Sequence, residues 1–119
     1  MNTDMQILLD RVKRGEPVEF QETIAVIEAN FQFTPTRFTN GLGPEAVVNE
    51  AGKNEGSCKI FSFARLAGLT PDQTLALFGV YYRDDVLGHP DGSDHQNIRN
   101  FIKDGWDGIR FEGDALTPL

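Results

Sequence analysis

The sequence predicts a mainly α-helical fold, α+β at most, with about five helices and a small β-hairpin element. Four segments begin with residues that cap helices, and behind these starts apolar side chains recur at spacings of three and four. Only short runs alternate between apolar and polar residues, as half-buried strands do. The 119 residues match the usual size of one domain, so we expect residues 1–119 to form a single compact domain.

The first two helices are predicted to form an antiparallel pair. Thr3 can cap the first helix, which should end before Gly15, and a second amphipathic segment runs from about residue 19 to residue 30. The apolar faces consist of Met5, Leu8, Leu9 and Val12 in the first helix and of Phe20, Ile24, Ile27 and Phe31 in the second.

Residues 31–48 are predicted to hold the β element. Phenylalanines alternate there with threonine and proline, which suits short extended structure rather than helix. Asn40 and Gly41 form a strong turn signal, after which residues 46–48 could pair back as a second strand.

Three further helices are predicted in the rest of the chain. Ser57 is expected to cap a helix that reaches about residue 67 and, having almost no polar face, lies in the middle of the core. Thr70 starts the next helix, which extends to about residue 88. Ser93 or Asp94 is expected to open the last helix, and residues 106–111 follow as a short tail that can be extended.

The charge balance excludes some classes of partner. The formal net charge is −7, whereas proteins that bind nucleic acid or anionic membranes present a basic surface. We therefore expect a protein or small-molecule partner of unknown identity, with no nucleic acid and no membrane. Cys58 is the only cysteine, so no intramolecular disulfide can form. Without a long apolar run or a signal-peptide pattern, the sequence predicts a soluble cytoplasmic protein.

The polar loop, which we define as residues 49–59, is the most unusual segment. It places amides, carboxylates, lysines and glycines just before a helix N-terminus, where free backbone amides favour anions. The Gly-Lys-Ser/Thr ending of a phosphate-binding loop is missing, and Glu50 and Glu55 would repel a phosphate. The two interpretations are a ligand-binding loop and a capped turn that leads into the buried helix.

Cys58 also has two interpretations. In the first turn of a helix beside Lys59 its thiolate would be favoured, and His89 or His95 could act as its base. The candidate catalytic residues are therefore Cys58, Glu55 and His95. A free cysteine among apolar neighbours is also typical of a small core residue. We expect the thiol to be buried and to react slowly.

The histidine turn, residues 89–95, offers four candidate metal ligands, which are His89, Asp91, Asp94 and His95. Imidazole and carboxylate together suit zinc, manganese or iron, so a divalent metal is the candidate cofactor. The pattern lacks the oxygen series of a calcium loop and the His-Glu-x-x-His helix of zinc peptidases. The alternative is a turn followed by an acidic helix cap.

Polar side chains from the β element, the polar loop and a later helix are the candidate ligand-binding residues. They are Asn40, Asn49, Glu50, Asn54, Glu55, Ser57, Lys59, Arg83 and Asp84.

Several blocks of the sequence resemble the HopJ type III effector protein family. The resemblance rests on residues 33–36 (FTPT), 38–41 (FTNG), 49–52 (NEAG), 54–61 (NEGSCKIF), 81–87 (YYRDDVL), 89–92 (HPDG) and 94–99 (DHQNIR). It covers nearly the whole chain. The resemblance implies a bacterial protein that can be secreted into host cells by a needle apparatus, and it implies no chemistry and no catalytic residues.

Two functions remain open from the sequence. The leading hypothesis is a small binding or regulatory module, with a polar surface built from residues 40–59 and the histidine turn. The alternative is a hydrolase-like enzyme that uses Cys58 with a histidine, or a metal held in the histidine turn. The sequence contains no complete catalytic signature, so it does not decide whether the protein is an enzyme.

Overall fold

The computed structural model describes residues 3–119. Its α-helices are α1 (Thr3–Lys13), α2 (Phe20–Asn30), α3 (Glu55–Ala67), α4 (Pro71–Ala76) and α5 (Gln96–Asp104). A π-helix (Tyr81–Val86) lies between α4 and α5, and a 3₁₀ helix (Gly105–Gly108) follows α5. The strands are β1 (Phe31–Phe33), β2 (Phe38–Asn40), β3 (Val47–Asn49), β4 (Ile109–Phe111) and β5 (Leu116–Pro118).

The predicted mainly α-helical class is wrong, and the fold is α+β. Of residues 3–119, 52% are helical and 13% are in strands, and the five strands found there form two antiparallel sheets. One sheet has the order β3–β2–β4 and the other pairs β1 with β5. The predicted hairpin is β2–β3, in which Asn40 pairs with Val47. Strand β4 lies in the tail for which extended structure was considered, whereas β5 was missed because its three residues are too few for an alternating pattern to be recognised.

Two helix starts differ from the predictions. Helix α3 begins two residues before Ser57, with Asn54 as its N-cap, and α5 has His95 as its N-cap instead of Ser93 or Asp94. Both N-cap residues have left-handed backbone conformations, with φ of 50° in each. A typical N-cap residue has an extended backbone, and its side chain accepts a hydrogen bond from a backbone N–H of the first helical turn. Asn54 and His95 have neither feature, so the sequence pattern did not identify them as N-caps.

The long helix predicted from Thr70 is also interrupted. Its start is confirmed, because Thr70 and Gln73 form a reciprocal capping box. Helix α4 nevertheless ends at Ala76, and the chain resumes as the π-helix beyond Gly79, whose φ is +62°. This glycine lets the backbone turn where it passes closest to the start of α2.

We expect the Gly79→Ala substitution to lower the free energy of unfolding by about 2 kcal/mol or more. A Cβ atom at this position would lie 2.7 Å from the backbone nitrogen of Phe20, and the positive φ adds strain. Gly52 is the matched control, because its φ is +88° but a Cβ atom would meet nothing within 4 Å. Urea unfolding of both variants measures the difference, and equal losses would show that the close approach to Phe20 is unimportant.

Helix α3 lies in the middle of the core, as predicted. Phe61 is fully buried, and its ring centroid lies 4.9 Å from that of Phe101 and 5.4 Å from that of Phe78. Phe38 of β2 and Trp106 of the 3₁₀ helix contact the same ring, at 6.1 Å and 6.4 Å. The helices and the three-stranded sheet therefore share one aromatic cluster around α3.

None of the helices within residues 3–119 has the length and apolar character needed to span a membrane.

Candidate functional site

A cavity of about 360 Å³ opens where the first turns of α3 and α5 come together. The start of α2 and the π-helix complete its wall. The lining residues are Phe20, Val47, Asn54, Gly56, Ser57, Phe78, Tyr81, His95, Gln96, Asn97 and Ile98. The structure thus brings Asn54 and Ser57 of the polar loop to the same cavity as His95 of the histidine turn.

The two N-cap residues, Asn54 and His95, both belong to this lining. Neither side chain caps its own helix. Instead, Asn54 Nδ2 donates to Asn49 Oδ1 at 2.6 Å, and His95 Nε2 lies 3.0 Å from Asp85 Oδ2. Left-handed backbone at non-glycine residues costs about 1–3 kcal/mol each and persists only where surrounding contacts enforce it. Here the contacts to Asn49 and Asp85 hold the two strained residues.

A buried asparagine network lies behind the cavity. Asn49 and Asn97 form a reciprocal amide pair, in which Asn97 Nδ2 donates to Asn49 Oδ1 at 2.8 Å and Asn49 Nδ2 donates to Asn97 Oδ1 at 3.1 Å. Asn40 Nδ2 also donates to Asn97 Oδ1, at 3.0 Å. All three side chains are at most 7% exposed. The network joins the β2–β3 hairpin to α5.

Two further residues extend the asparagine network. Asn100 Nδ2 donates to the backbone carbonyl of Asn40 at 3.0 Å, and Gln96 Nε2 donates to Asn100 Oδ1 at 2.8 Å. Asn40 Oδ1 is buried without a hydrogen-bond partner among residues 3–119. Because Asn54, Gln96 and Asn97 line the cavity while Asn49 and Asn100 lie behind it, the network holds the cavity's amides in fixed positions.

Aromatic rings form the other wall of the cavity. Phe20 and Tyr81 pack edge to face with ring centroids 5.0 Å apart, and the His95 ring lies 5.2 Å from Tyr81. A Cβ atom on Gly56 would lie 2.9 Å from Phe20 Cζ, so the absence of a side chain there allows Phe20 to pack against α3. The π-helix sets Tyr81 against Phe20 and Asp85 against His95.

Two of the four candidate metal ligands cluster, together with a residue that was not predicted. One ligand atom each from Asp85, Asp94 and His95 lies within 4.8 Å of the others. The pKa of the Asp94 carboxyl is lowered, first of all by its hydrogen bond from Arg99, 2.6 Å away. Arg99 also donates to the backbone carbonyl of His89 at 2.9 Å, so it holds the histidine turn against α5. The cluster that includes His95 contains neither His89 nor Asp91.

Comparison with known proteins identifies the family. The model of the HopJ type III effector protein family matches residues 5–116. The chain belongs to this family. A crystal structure of VPA0580, a protein of unknown function, has a TM-score of 0.92 and 51% sequence identity to the chain, covering all of it and 97% of VPA0580. No curated protein matches. The HopJ resemblance predicted from the sequence is therefore confirmed, and the solved relative adds no activity.

In this HopJ-family chain Cys58 lies outside the cavity lining. Its side chain is 2% exposed, and Sγ donates a weak hydrogen bond to the backbone carbonyl of Thr36 at 3.6 Å. Burial is the main cause that raises the pKa of the thiol, and the Glu55 carboxylate raises it further. The predicted burial is confirmed, and no histidine hydrogen bond to Cys58 exists among residues 3–119.

We expect native Cys58 to react slowly with a thiol reagent at neutral pH. Because its pKa is raised, the reactive thiolate should form only above the ordinary thiol range, and labelling should accelerate at a higher pH than for a free cysteine. Labelling with 5,5′-dithiobis(2-nitrobenzoate) in native buffer and in urea measures this. Rapid labelling of the native protein at pH 7 would contradict it and favour the cysteine-enzyme alternative.

The remaining charged candidates for ligand binding lie outside the cavity lining, and three of them form ion pairs or hydrogen bonds with other parts of the protein. Glu50 pairs with Arg37 at 3.1 Å, and Lys59 pairs with Glu28 at 3.4 Å. Arg83 donates to the backbone carbonyl of Val18 at 2.9 Å, which ties the π-helix to the start of α2. Asp84 and Glu55 are exposed, and neither lines the cavity. The HopJ cavity is therefore lined by uncharged polar groups and rings more than by these ions.

Sequence reasoning missed several residues of the site, namely Phe20, Tyr81, Asp85, Gln96 and Asn97. Phe20 was assigned to the buried face of α2, and Tyr81 and Asp85 were not separated from their neighbours. One signal was available for Asn97. Asn97 lies three residues before Asn100 and four before Phe101, so both amides share a helix face with an apolar side chain, and uncharged amides on an apolar face indicate a buried polar network.

Proposed function

We propose that this HopJ-family protein is a binding module whose ligand occupies the cavity between α3 and α5. The observation that carries the proposal is the convergence of the polar loop and the histidine turn on one cavity, with the lining amides held from behind by Asn49. Cavities of this size lined by rings and a few oriented polar groups are typical of small-molecule sites.

The buried amides and the two left-handed N-cap residues lower the stability of the fold, and this cost supports a functional role for them. Burying amide groups is favourable only when every donor and acceptor is paired, and an apolar core at the same positions would avoid that requirement. The two left-handed N-caps, Asn54 and His95, add backbone strain at the cavity itself. Strain of this kind concentrates at functional sites, and both strained residues line the cavity.

Binding is favoured over the hydrolase-like alternative by the positions of the candidate catalytic groups. Cys58 and Glu55 do not line the cavity, and the Cys58 thiol contacts the backbone of Thr36 instead of a histidine. His95 lies in the cavity with Asp85 behind it, but no nucleophile is hydrogen-bonded to it among residues 3–119. Family membership supports an effector-like role, acting in the cytoplasm of the producing cell or of a host cell after secretion.

A blocking variant tests the proposal. Ser57 is half-buried in the cavity lining, so Ser57→Phe should fill the cavity, whereas Ser93→Phe places the same side chain on an exposed residue outside it. A fragment library is screened on ¹⁵N-labelled protein by NMR. We expect fragments that shift the side-chain amides of Asn54 and Asn97 in the wild type and in Ser93→Phe.

The same fragments should not shift these amides in Ser57→Phe, provided its melting temperature shows that it is folded. If no fragment shifts the cavity amides, or if the shifts persist in the blocked variant, the cavity is not the binding site.

A further inference from the structure

We infer that the cavity takes an uncharged, planar heterocycle that carries ring N–H or amino donors, as a small soluble molecule. This inference rests on the proposed binding function. It names the ligand class from three features of the cavity, which are its charge, its rings and its open acceptors.

The charge at the cavity favours neither an anion nor a cation. Its lining contains no lysine or arginine, and its titratable side chains are Tyr81 and His95. The helix N-termini of α3 and α5 add partial positive charge. This is opposed by the carboxylates of Asp85 and Asp94, which lie 3.0 Å and 3.9 Å from His95 Nε2. An anion would lose its hydration with no lysine or arginine to pair with, and a cation would meet no carboxylate in the lining itself, so an uncharged ligand avoids that loss.

The aromatic wall favours a planar ring. Phe20, Tyr81 and His95 form a continuous row with centroid separations of 5.0 Å and 5.2 Å. The Phe20 and Tyr81 planes lie at 69°, so a flat ligand can stack on one ring while its edge meets the other. A volume of about 360 Å³ accommodates a ring of one or two cycles with its substituents.

Two amides of the lining supply open acceptors. Asn54 uses its Nδ2 group to bond Asn49, and Gln96 uses its Nε2 group to bond Asn100. Neither Asn54 Oδ1 nor Gln96 Oε1 makes a hydrogen bond with any other group in residues 3–119. Since both amides are anchored through nitrogen, their oxygens remain available for N–H donors. A ring with donors at its edge therefore matches this wall better than a purely accepting or apolar ring.

Five probes test the class by NMR titration of ¹⁵N-labelled protein. Adenine and cytosine are uncharged planar donors at neutral pH, benzoate is an anion, benzamidinium is a cation, and cyclohexanol is uncharged but not planar. We expect adenine or cytosine to shift the Asn54 and Gln96 side-chain amides, with a dissociation constant about tenfold or more below those of the other three probes.

Two variants and a control connect the binding to the named groups. Tyr81→Leu removes the central ring and should weaken binding about tenfold or more, while Tyr82→Leu, outside the lining, should leave it unchanged. Asn54→Ala removes an open acceptor and should also weaken binding, which keeps the test decisive if Tyr81→Leu does not fold. Tighter binding of benzoate, benzamidinium or cyclohexanol at these amides overturns the ligand class but leaves the binding module standing.

If the five probes fail while other fragments bind in the cavity, the class is also overturned. If no fragment and no probe reaches the cavity amides, the inference and the proposed function fall together.

Discussion

Replacing Phe61 by alanine is expected to lower the free energy of unfolding by about 4 kcal/mol. Phe61 is fully buried in α3, and its ring contacts the rings of Phe38, Phe78, Phe101 and Trp106. The truncation removes apolar contact with each of these elements at once and leaves a cavity that a close-packed core cannot fill completely. Urea denaturation followed by Trp106 fluorescence measures the change.

The control for this variant lies on the same helix. Leu66→Ala also truncates an apolar side chain of α3, but Leu66 is 62% exposed. We expect it to change stability by no more than about 0.5 kcal/mol, since exposed substitutions away from special contacts have small effects. A comparable loss in both variants would show that the aromatic cluster contributes no more to stability than an exposed apolar side chain of the same helix.

Asn49→Ala is expected to cost about 3 kcal/mol, which corresponds to a decrease of about 10 °C in melting temperature for a chain of this length. The side chain makes four hydrogen bonds, two with Asn97, one with Asn54 and one with the backbone carbonyl of Phe38. Its removal leaves the Asn97 amide, which is 7% exposed, without its main partner. An unpaired buried amide costs more than a hydrogen bond contributes when it is formed.

Asn30→Ala is the matched control, because its side chain makes a single hydrogen bond, to the Val26 carbonyl at 2.7 Å, and is only partly buried. A loss of about 1 kcal/mol or less is expected there. Thermal unfolding of the two variants, with NMR of the Asn54 and Asn97 side-chain amides, distinguishes a damaged network from a general loss of stability. Undisturbed amide signals in Asn49→Ala would contradict the role assigned to Asn49.

The asparagine network connects stability to the candidate site. Asn49 comes from β3, Asn97 from α5 and Asn54 from the N-cap of α3, so three elements meet through amide groups. Amides have fixed donor and acceptor positions, whereas apolar side chains can repack in many ways. Such a network therefore specifies one arrangement of these elements, and it specifies the shape of the cavity at the same time.

The helices and the buried core could be predicted from the sequence because their signals are local. The capping box of Thr70 and Gln73 lies within one turn, and the apolar spacing of α3 identifies its central position without reference to any other element. The burial of Cys58 followed in the same way from its apolar neighbours on the helix. These features depend on residues within a few positions of one another.

Strand pairing outside the β2–β3 hairpin could not be predicted in the same way. Strand β4 is held by pairing Ile109 with Asn40, and β5 by pairing Leu116 with Phe33, so both depend on partners far away in the sequence. Three residues contain too few side chains to display a period of two. The break between α4 and the π-helix was missed because Gly79 is tolerated inside a helical pattern, and only its approach to Phe20 shows that a turn is required there.

By itself, the sequence determined the family, the positions of most helices, the buried thiol and the two polar segments predicted to form the functional surface. The tertiary structure alone decided that Asn54 and His95 share one cavity, that Asp85 supports His95, and that Asn49 joins the hairpin to α5. The physical reason is the separation along the chain between the residues that interact. Caps and periodicity act along the chain, whereas a cavity and a buried hydrogen-bond network exist only between elements that packing has brought together.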